Sequence, residues 1–224
     1  MAYLFQTYIY APILYVLVFI YQNTSFHDLG VAIIELTILV RIVLFPIFFK
    51  SAKDQALMQR IQPRIKEIQE KHKENKEAQA KALLLLYKEH KLNPFSGFFL
   101  LLLQLPVFFA LYQVFQNELS NGLFDNLMFL GLINLGETSV VIAIVAALFQ
   151  FVQTKLVMAK TKRGEVNTMA SMNKIMVIVG PAISFFVLLN LPAALGFFWI
   201  ISTLFSIGQQ LYINKQFNAD PRLV

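Results

Sequence analysis

The stretch LTILVRIVLFP, residues 36–46, places an arginine inside an otherwise apolar run. The surrounding segment, 31–50, has the length of about 20 residues that an α-helix needs to cross roughly 30 Å of hydrocarbon. Arg41 lies near the middle of this segment and therefore near the middle of the bilayer. Because a guanidinium at the centre of a membrane helix costs roughly 2.5–3.5 kcal/mol on insertion scales, the arginine predicts a compensating polar environment.

The composition of the whole chain indicates an all-α membrane protein. Of its 224 residues, 57% are hydrophobic and 14% are charged, whereas soluble domains carry roughly 25% charge. The chain has no cysteine, which excludes disulfides and thiolate chemistry. We predict a core of five membrane-spanning helices, of which the last four and their short loops occupy residues 94–217. The predicted spans are 31–50, 95–116, 139–158, 174–190 and 193–213.

Two further segments are predicted to be helical but not to belong to this core. Residues 1–30 have no Lys or Arg, and within them the tyrosines of 3–22 and Pro12 favour a helix that lies on the outer membrane interface, with a true span as the alternative. Residues 51–93 hold ten Lys/Arg against six Asp/Glu. Apolar residues recur there at helical spacing from Leu57 to Ile68. We therefore predict a two-helix hairpin outside the membrane.

The distribution of positive charge predicts the orientation of the chain. Basic residues occur in 50–93, in 155–174 and in the tail, 218–224, but not in 1–40 or 117–138. Since Lys and Arg remain on the cytoplasmic side, five spans place the N-terminus outside and the C-terminus in the cytoplasm. The net charge of +6 is then explained without nucleic-acid specificity. The sequence leaves open whether a leader peptide has been removed.

Arg41 has three possible environments. It can snorkel to the cytoplasmic edge, although roughly ten residues is a long reach for one side chain. It can pair with Glu35, although six positions separate the two side chains by about 120° around a helix. It can also face a wet cavity, which we favour because other polar residues lie within the spans. These residues are Thr37, Gln104, Gln150, Gln153, Ser202, Thr203 and Ser206. Taken singly, each is better explained as an interhelical hydrogen-bonding residue.

The polar residues that the predicted spans lack exclude several functions. The spans contain no His and no Asp, which argues against intramembrane serine and aspartyl proteases. Proton and cation transporters usually carry several acids in the membrane, and only Glu35 is available here. The sequence has no Gly-rich phosphate loop and no metal-ligand cluster. We therefore predict neither enzyme activity nor a cofactor.

Six segments, in order along the chain, resemble those of the YidC/Oxa/Alb family of membrane protein insertases. They are TILVRIVLFP, MQRIQPRIKEIQEKHK, LYKEHKLNPFSG, LLLQLPVFFALYQVF, FVQTK and WIISTLFSIGQQLYI. The resemblance covers about 1–217 and implies five spans, an outer amphipathic helix and a cytoplasmic helical hairpin. It also implies a bacterial plasma membrane, and it implies that Arg41 is the family's groove arginine, with Thr37 one turn away and with Gln153 and Trp199 in the same groove. We also predict Glu35 in this groove, where it would tune Arg41.

The function implied by the resemblance is the insertion of small membrane proteins into the lipid bilayer, alone or beside the Sec translocon. Nascent membrane proteins would be the clients, and hairpin 51–93 would dock clients, ribosomes or components of the signal recognition particle. Two alternatives stay open. A transporter or channel subunit would use Glu35 and Arg41 as an ion-coupling pair, and its solute flux would be abolished by Glu35→Gln. A structural partner of the translocon would crosslink to Sec subunits but not to nascent chains.

Overall fold

The computed structural model describes residues 2–118, 122–157 and 168–219. These residues form a mainly helical protein with one short β-hairpin. In chain order, the described elements are α1 (Ala2–Phe5), a π-helical turn (Gln6–Tyr10), α2 (Ala11–Asn23), α3 (Leu29–Val43), α4 (Phe45–Lys71), α5 (Lys76–Glu89), α6 (Ser96–Glu118), β1 (Met128–Phe129), β2 (Ile133–Asn134), α7 (Val140–Val157), α8 (Thr168–Leu188) and α9 (Ala193–Ala219).

The segment formed by α1, the π-helical turn and α2 packs one side against the rest of the protein. Leu17 and Tyr21 are buried in the main core, whereas Tyr8 and Tyr15 are largely exposed. The segment Tyr3–Asn23 is long and apolar enough to cross a membrane. An interfacial helix and a true span are both compatible with this one-sided burial, so the interfacial position stays a prediction.

The first predicted span is broken near its C-terminal end. α3 ends at Val43, Leu44 lies between the two helices, and α4 continues at an angle of 73° to α3. This differs from the single helix predicted over 31–50. Pro46 follows the break as one of the first residues of α4, where its missing N–H removes no intrahelical hydrogen bond. The bend turns α4 away from the axis of α3, so that α4 contacts α6, α7 and α9.

α4 and α5 pack against each other as two antiparallel arms. Ile61 and Ile65 of α4 share a small separate core with Leu86 of α5 and with Leu92, which follows α5. The apolar repeat in the sequence is therefore the buried face of α4. α5 begins at Lys76, where the side chain of the preceding Asn accepts a backbone hydrogen bond and caps the helix.

The main bundle brings α3, α6, α7, α8 and α9 together with α2. Within the described part of the chain, three segments are long and apolar enough to span a membrane, and the bent pair α3–α4 is a fourth candidate. The three segments are Tyr3–Asn23, Val140–Val157 and Ala193–Gln216. The basic loop residues Lys160, Lys162 and Arg163 and the end of the tail, 220–224, lie outside the described residues.

The β-hairpin closes the end of the bundle where α3 and α9 begin. Leu130, in the tight turn between β1 and β2, donates its backbone N–H to Asp28 Oδ2 at 2.6 Å. Asp28 is also the N-cap of α3. The backbone N–H of Ala194, in the first turn of α9, donates to the carbonyl of Leu135 at 2.9 Å. The loop therefore joins the starts of two bundle helices, at the end opposite to α4.

Candidate functional site

A partly open cavity of about 300 Å³ lies between five helices. Arg41 of α3 lines it together with residues of α4, α6, α7 and α9. Among the residues that the structure describes, the lining contains one cationic side chain, six glutamines and no Asp or Glu. The cavity therefore brings polar side chains and one positive charge together between four mainly apolar helices and the charged helix α4.

Arg41 is held in the cavity wall by one hydrogen bond and by aromatic rings. Its side chain is 5% exposed, and Nη2 donates to the carbonyl of Ser202 at 2.9 Å. The guanidinium carbon lies 4.3 Å from the ring centroid of Phe48 and 5.7 Å from that of Phe205, within the range of cation–π attraction. Nη1 has no hydrogen-bond partner among the described residues. The guanidinium is thus fixed in position, but only part of its hydrogen-bonding capacity is used.

Seven of the nine residues predicted for the groove line this cavity. They come from α3, α6, α7 and α9, which are far apart in the sequence. These residues are Arg41, Gln104, Gln150, Gln153, Trp199, Ser202 and Thr203. The fold therefore brings most of the predicted polar set into one place.

Thr37 and Glu35, the other two residues predicted for the groove, are not among the described residues that line the cavity. Thr37 is buried, and its hydroxyl donates to the carbonyl of Ile33 at 2.6 Å, so its own helix supplies its partner. Glu35 Oε2 accepts a hydrogen bond from Thr24 Oγ1 at 2.6 Å. The carboxylate is therefore bound to the turn after α2 and not to the guanidinium of Arg41.

Sequence reasoning missed three glutamines of the cavity, Gln55, Gln209 and Gln210. A signal existed for two of them, because Gln209 and Gln210 continue the helical spacing of Ser202 and Ser206 along α9. No comparable signal existed for Gln55. It belongs to the segment predicted to lie outside the membrane, and only the bend before α4 places it at the cavity.

α4, which lines the cavity, is hydrogen-bonded to the last described turn of α7. Gln59 Nε2 donates to the carbonyl of Leu156 at 3.3 Å and also to the carbonyl of Val157. α4 is thereby joined to α7, which also lines the cavity.

Trp199 connects the walls formed by α6, α7 and α9. Its Nε1 donates to Gln150 Oε1 at 3.2 Å. Its ring meets Phe108 of α6 edge to face, with 5.7 Å between centroids, a favourable geometry for aromatic pairs. The indole therefore positions a cavity glutamine and packs against the neighbouring helix at the same time.

Replacing Trp199 with Phe is expected to lower the free energy of unfolding by about 1 kcal/mol, because the hydrogen bond to Gln150 is lost while an aromatic ring remains against Phe108. Denaturant unfolding in mixed micelles measures the change. Phe108→Leu is the matched control, since it removes the ring contact and leaves the hydrogen bond. An unchanged stability of Trp199→Phe would show that the bond to Gln150 contributes nothing.

Comparison with known proteins identifies the family of the chain. The sequence model of the family described as 60Kd inner membrane protein matches residues 19–220. A protein of Pelobacter propionicus named membrane protein insertase YidC is 35% identical over 224 residues, which cover 95% of this chain and 39% of the relative. Proteins of the same name from Geotalea daltonii and Geobacter sulfurreducens are 35% and 30% identical, over 93% of this chain and 37% of each relative.

The chain spans about two fifths of the length of these relatives, and the match extends over nearly all of its described helices. Together with the apolar helices, the match shows a multi-pass bacterial membrane protein. The family predicted from the six sequence segments is confirmed. The chain belongs to the 60Kd inner membrane protein family, and the relatives that it matches are named membrane protein insertase YidC.

Proposed function

We propose that this chain inserts the transmembrane segments of client proteins into the lipid bilayer through the cavity around Arg41. The observation that carries the proposal is a polar cavity with a buried, partly satisfied guanidinium between apolar helices. A purely structural membrane protein gains nothing from such a group, because an unsatisfied buried charge destabilises the fold. The names of the relatives support the same function.

The physical task of an insertase is to move polar segments of the client across hydrocarbon. Burying a polar group without a hydrogen bond costs several kcal/mol, and a polar cavity lowers this barrier. Arg41 attracts acidic residues of the translocated segment more strongly than it would in water, because the surroundings have a lower dielectric constant. The apolar segment of the client then moves along α7 and α9 into lipid. No covalent bond changes, so no catalytic acid, base or nucleophile is required.

The energy for insertion comes from the client and from the membrane. Burial of an apolar client helix in lipid is favourable, and the membrane potential adds about 2.3 kcal/mol per charge per 100 mV. In the proposed topology, α3, α6, α7, α8 and α9 are the five spans. The N-terminal segment lies on the outer side, and the hairpin of α4 and α5 lies in the cytoplasm. The absence of Lys and Arg from 1–40 and 117–138 supports this orientation.

The proposed partners follow from the same topology. Nascent membrane proteins are the clients, and the lipid bilayer receives them. The hairpin of α4 and α5 is the surface for first contact with clients and for ribosomes or components of the signal recognition particle. The Sec translocon is a second proposed partner, beside which the chain would act on larger clients. Neither partnership requires nucleic-acid specificity.

Site-specific photocrosslinking to a ribosome-bound client tests the proposed function. A photoreactive residue at position 153 is expected to crosslink to the client, because Gln153 lines the cavity. The matched control is position 183, where Ile183 of α8 is 58% exposed on the surface of the bundle and does not line the cavity. Equal yields from the two positions would contradict insertion through the cavity. Crosslinks to Sec subunits alone would favour a structural role in the translocon.

A further inference from the structure

α9 presents a row of polar side chains to the cavity. Ser202, Ser206 and Gln209 all line it, and their spacing of four and then three residues places them on one face of the helix. From Ser202 to Gln209 the helix rises by about 10.5 Å. The row therefore extends along α9 for about a third of the thickness of the hydrocarbon core.

Three hydrogen-bond donors at the cavity have no partner among the described residues: Arg41 Nη1, Ser202 Oγ and Gln209 Nε2. The side chains of Arg41 and Ser202 are each 5% exposed. Nearly all buried polar groups in folded proteins are hydrogen-bonded. A concentration of three unpartnered donors in one cavity therefore indicates a site that needs acceptors from another molecule.

The two neutral donors do not require an acidic client. A carboxylate is the best partner for Arg41, but Ser202 and Gln209 carry no charge, and neutral carbonyl oxygens suit them equally well. Every polypeptide supplies such oxygens along its main chain. In an α-helix those carbonyls are already bonded within the helix, whereas an extended chain leaves them free.

We propose that α9 holds the translocating segment of the client in an extended conformation. Main-chain carbonyls of the client accept hydrogen bonds from Ser202 Oγ and Gln209 Nε2. This inference rests on the proposed insertase function.

Disulfide scanning measures the conformation of the client in the cavity. The chain contains no cysteine, so Ser202→Cys and Gln209→Cys each introduce one thiol. A stalled client carries a single cysteine at successive positions of its translocated segment, and the position of strongest crosslinking is determined for each variant. An extended client, at about 3.3 Å per residue, is expected to shift its maximum by about three residues between the two variants. A helical client would shift it by about seven.

A shift of about seven residues, or equal crosslinking along the whole client segment, overturns the extended conformation and leaves the insertase function standing. The extended conformation along α9 is also overturned if the photoreactive residue at position 153 crosslinks to the client but neither Ser202→Cys nor Gln209→Cys does. The client would then pass through the cavity without contacting α9. If none of the three positions crosslinks to the client, the proposed function itself fails.

The role of the two donors is measured with a client whose translocated segment lacks Asp and Glu. The double variant Ser202→Ala with Gln209→Met is expected to slow its insertion by about tenfold, because two neutral hydrogen bonds are lost. Ser184→Ala is the matched control. Ser184 is also buried, but its hydroxyl donates to the carbonyl of Gly180 within α8 and does not line the cavity. An unchanged rate for the double variant would refute the assigned hydrogen bonds.

Discussion

Replacing Arg41 with alanine is expected to slow the insertion of clients with acidic translocated segments by roughly tenfold to a hundredfold. A hydrogen bond to a charged group contributes about 1.5–3 kcal/mol, and about 1.4 kcal/mol corresponds to a tenfold change in rate. Arg41→Lys is expected to have a smaller effect because a positive charge remains. It still loses the planar group that bonds to Ser202 and stacks on Phe48.

The measurement uses reconstituted vesicles and two clients that differ only in their translocated segments, one with Asp and Glu and the other with Asn and Gln. The ratio of the two insertion rates isolates the contribution of the Arg41 charge to insertion, because any loss of folded protein in Arg41→Ala affects both clients equally. The charge-attraction mechanism requires that ratio to fall towards one in Arg41→Ala. If the variant preserved the ratio, the guanidinium would have only a structural role.

Replacing Gly30 with alanine is expected to lower the free energy of unfolding by about 1–3 kcal/mol, the usual range for overpacking. A Cβ atom at Gly30 would lie 2.2 Å from Phe129 Cδ2 and 2.7 Å from Phe129 Cβ. The ring of Phe129 cannot move away freely because it packs on Phe197, with 4.6 Å between centroids. The whole β-hairpin would have to shift, and with it the hydrogen bond from Leu130 to Asp28.

Unfolding of purified protein in mixed micelles provides the measurement for Gly30→Ala. Gly180→Ala is the matched control, since a Cβ at this helical glycine meets no atom within 4 Å. Alanine is favoured over glycine in helices by about 1 kcal/mol, so the control is expected to be as stable as the original chain or slightly more stable. Equal stabilities for the two variants would show that the β-hairpin adapts without cost.

The multi-pass helical character of the chain and most of the cavity were predictable because both depend on properties visible in a linear sequence. An apolar segment has to match the thickness of the hydrocarbon, and a polar residue inside such a segment needs a polar neighbour. Arg41, Gln150 and Ser202 were therefore recognisable one by one. The interhelical contacts among them, such as the bond from Trp199 to Gln150, arise only when the helices pack.

The remaining features depend on geometry that spacing does not encode. Thr37 follows the same face of α3 as Arg41, but its hydroxyl bonds to its own helix. The partner of Glu35 is Thr24, which lies before the helix and is brought close by the turn after α2. Gln55 reaches the cavity only through the bend at Leu44, and a proline two residues later is compatible with either a helix start or a continuing kinked helix.

Because α4 is one long helix that begins at the bend, a tilt about Leu44 would displace its far end much more than its first turn. α4 runs as one helix from Phe45 to Lys71, about 40 Å, whereas Phe48 lies only about 6 Å beyond the pivot. A tilt of about 10° moves the far end of α4 by about 7 Å but moves Phe48 by only about 1 Å. Gln59, about 22 Å from Leu44 along the helix, would move by about 4 Å in the same tilt, so its hydrogen bonds to the carbonyls of Leu156 and Val157 oppose such a motion.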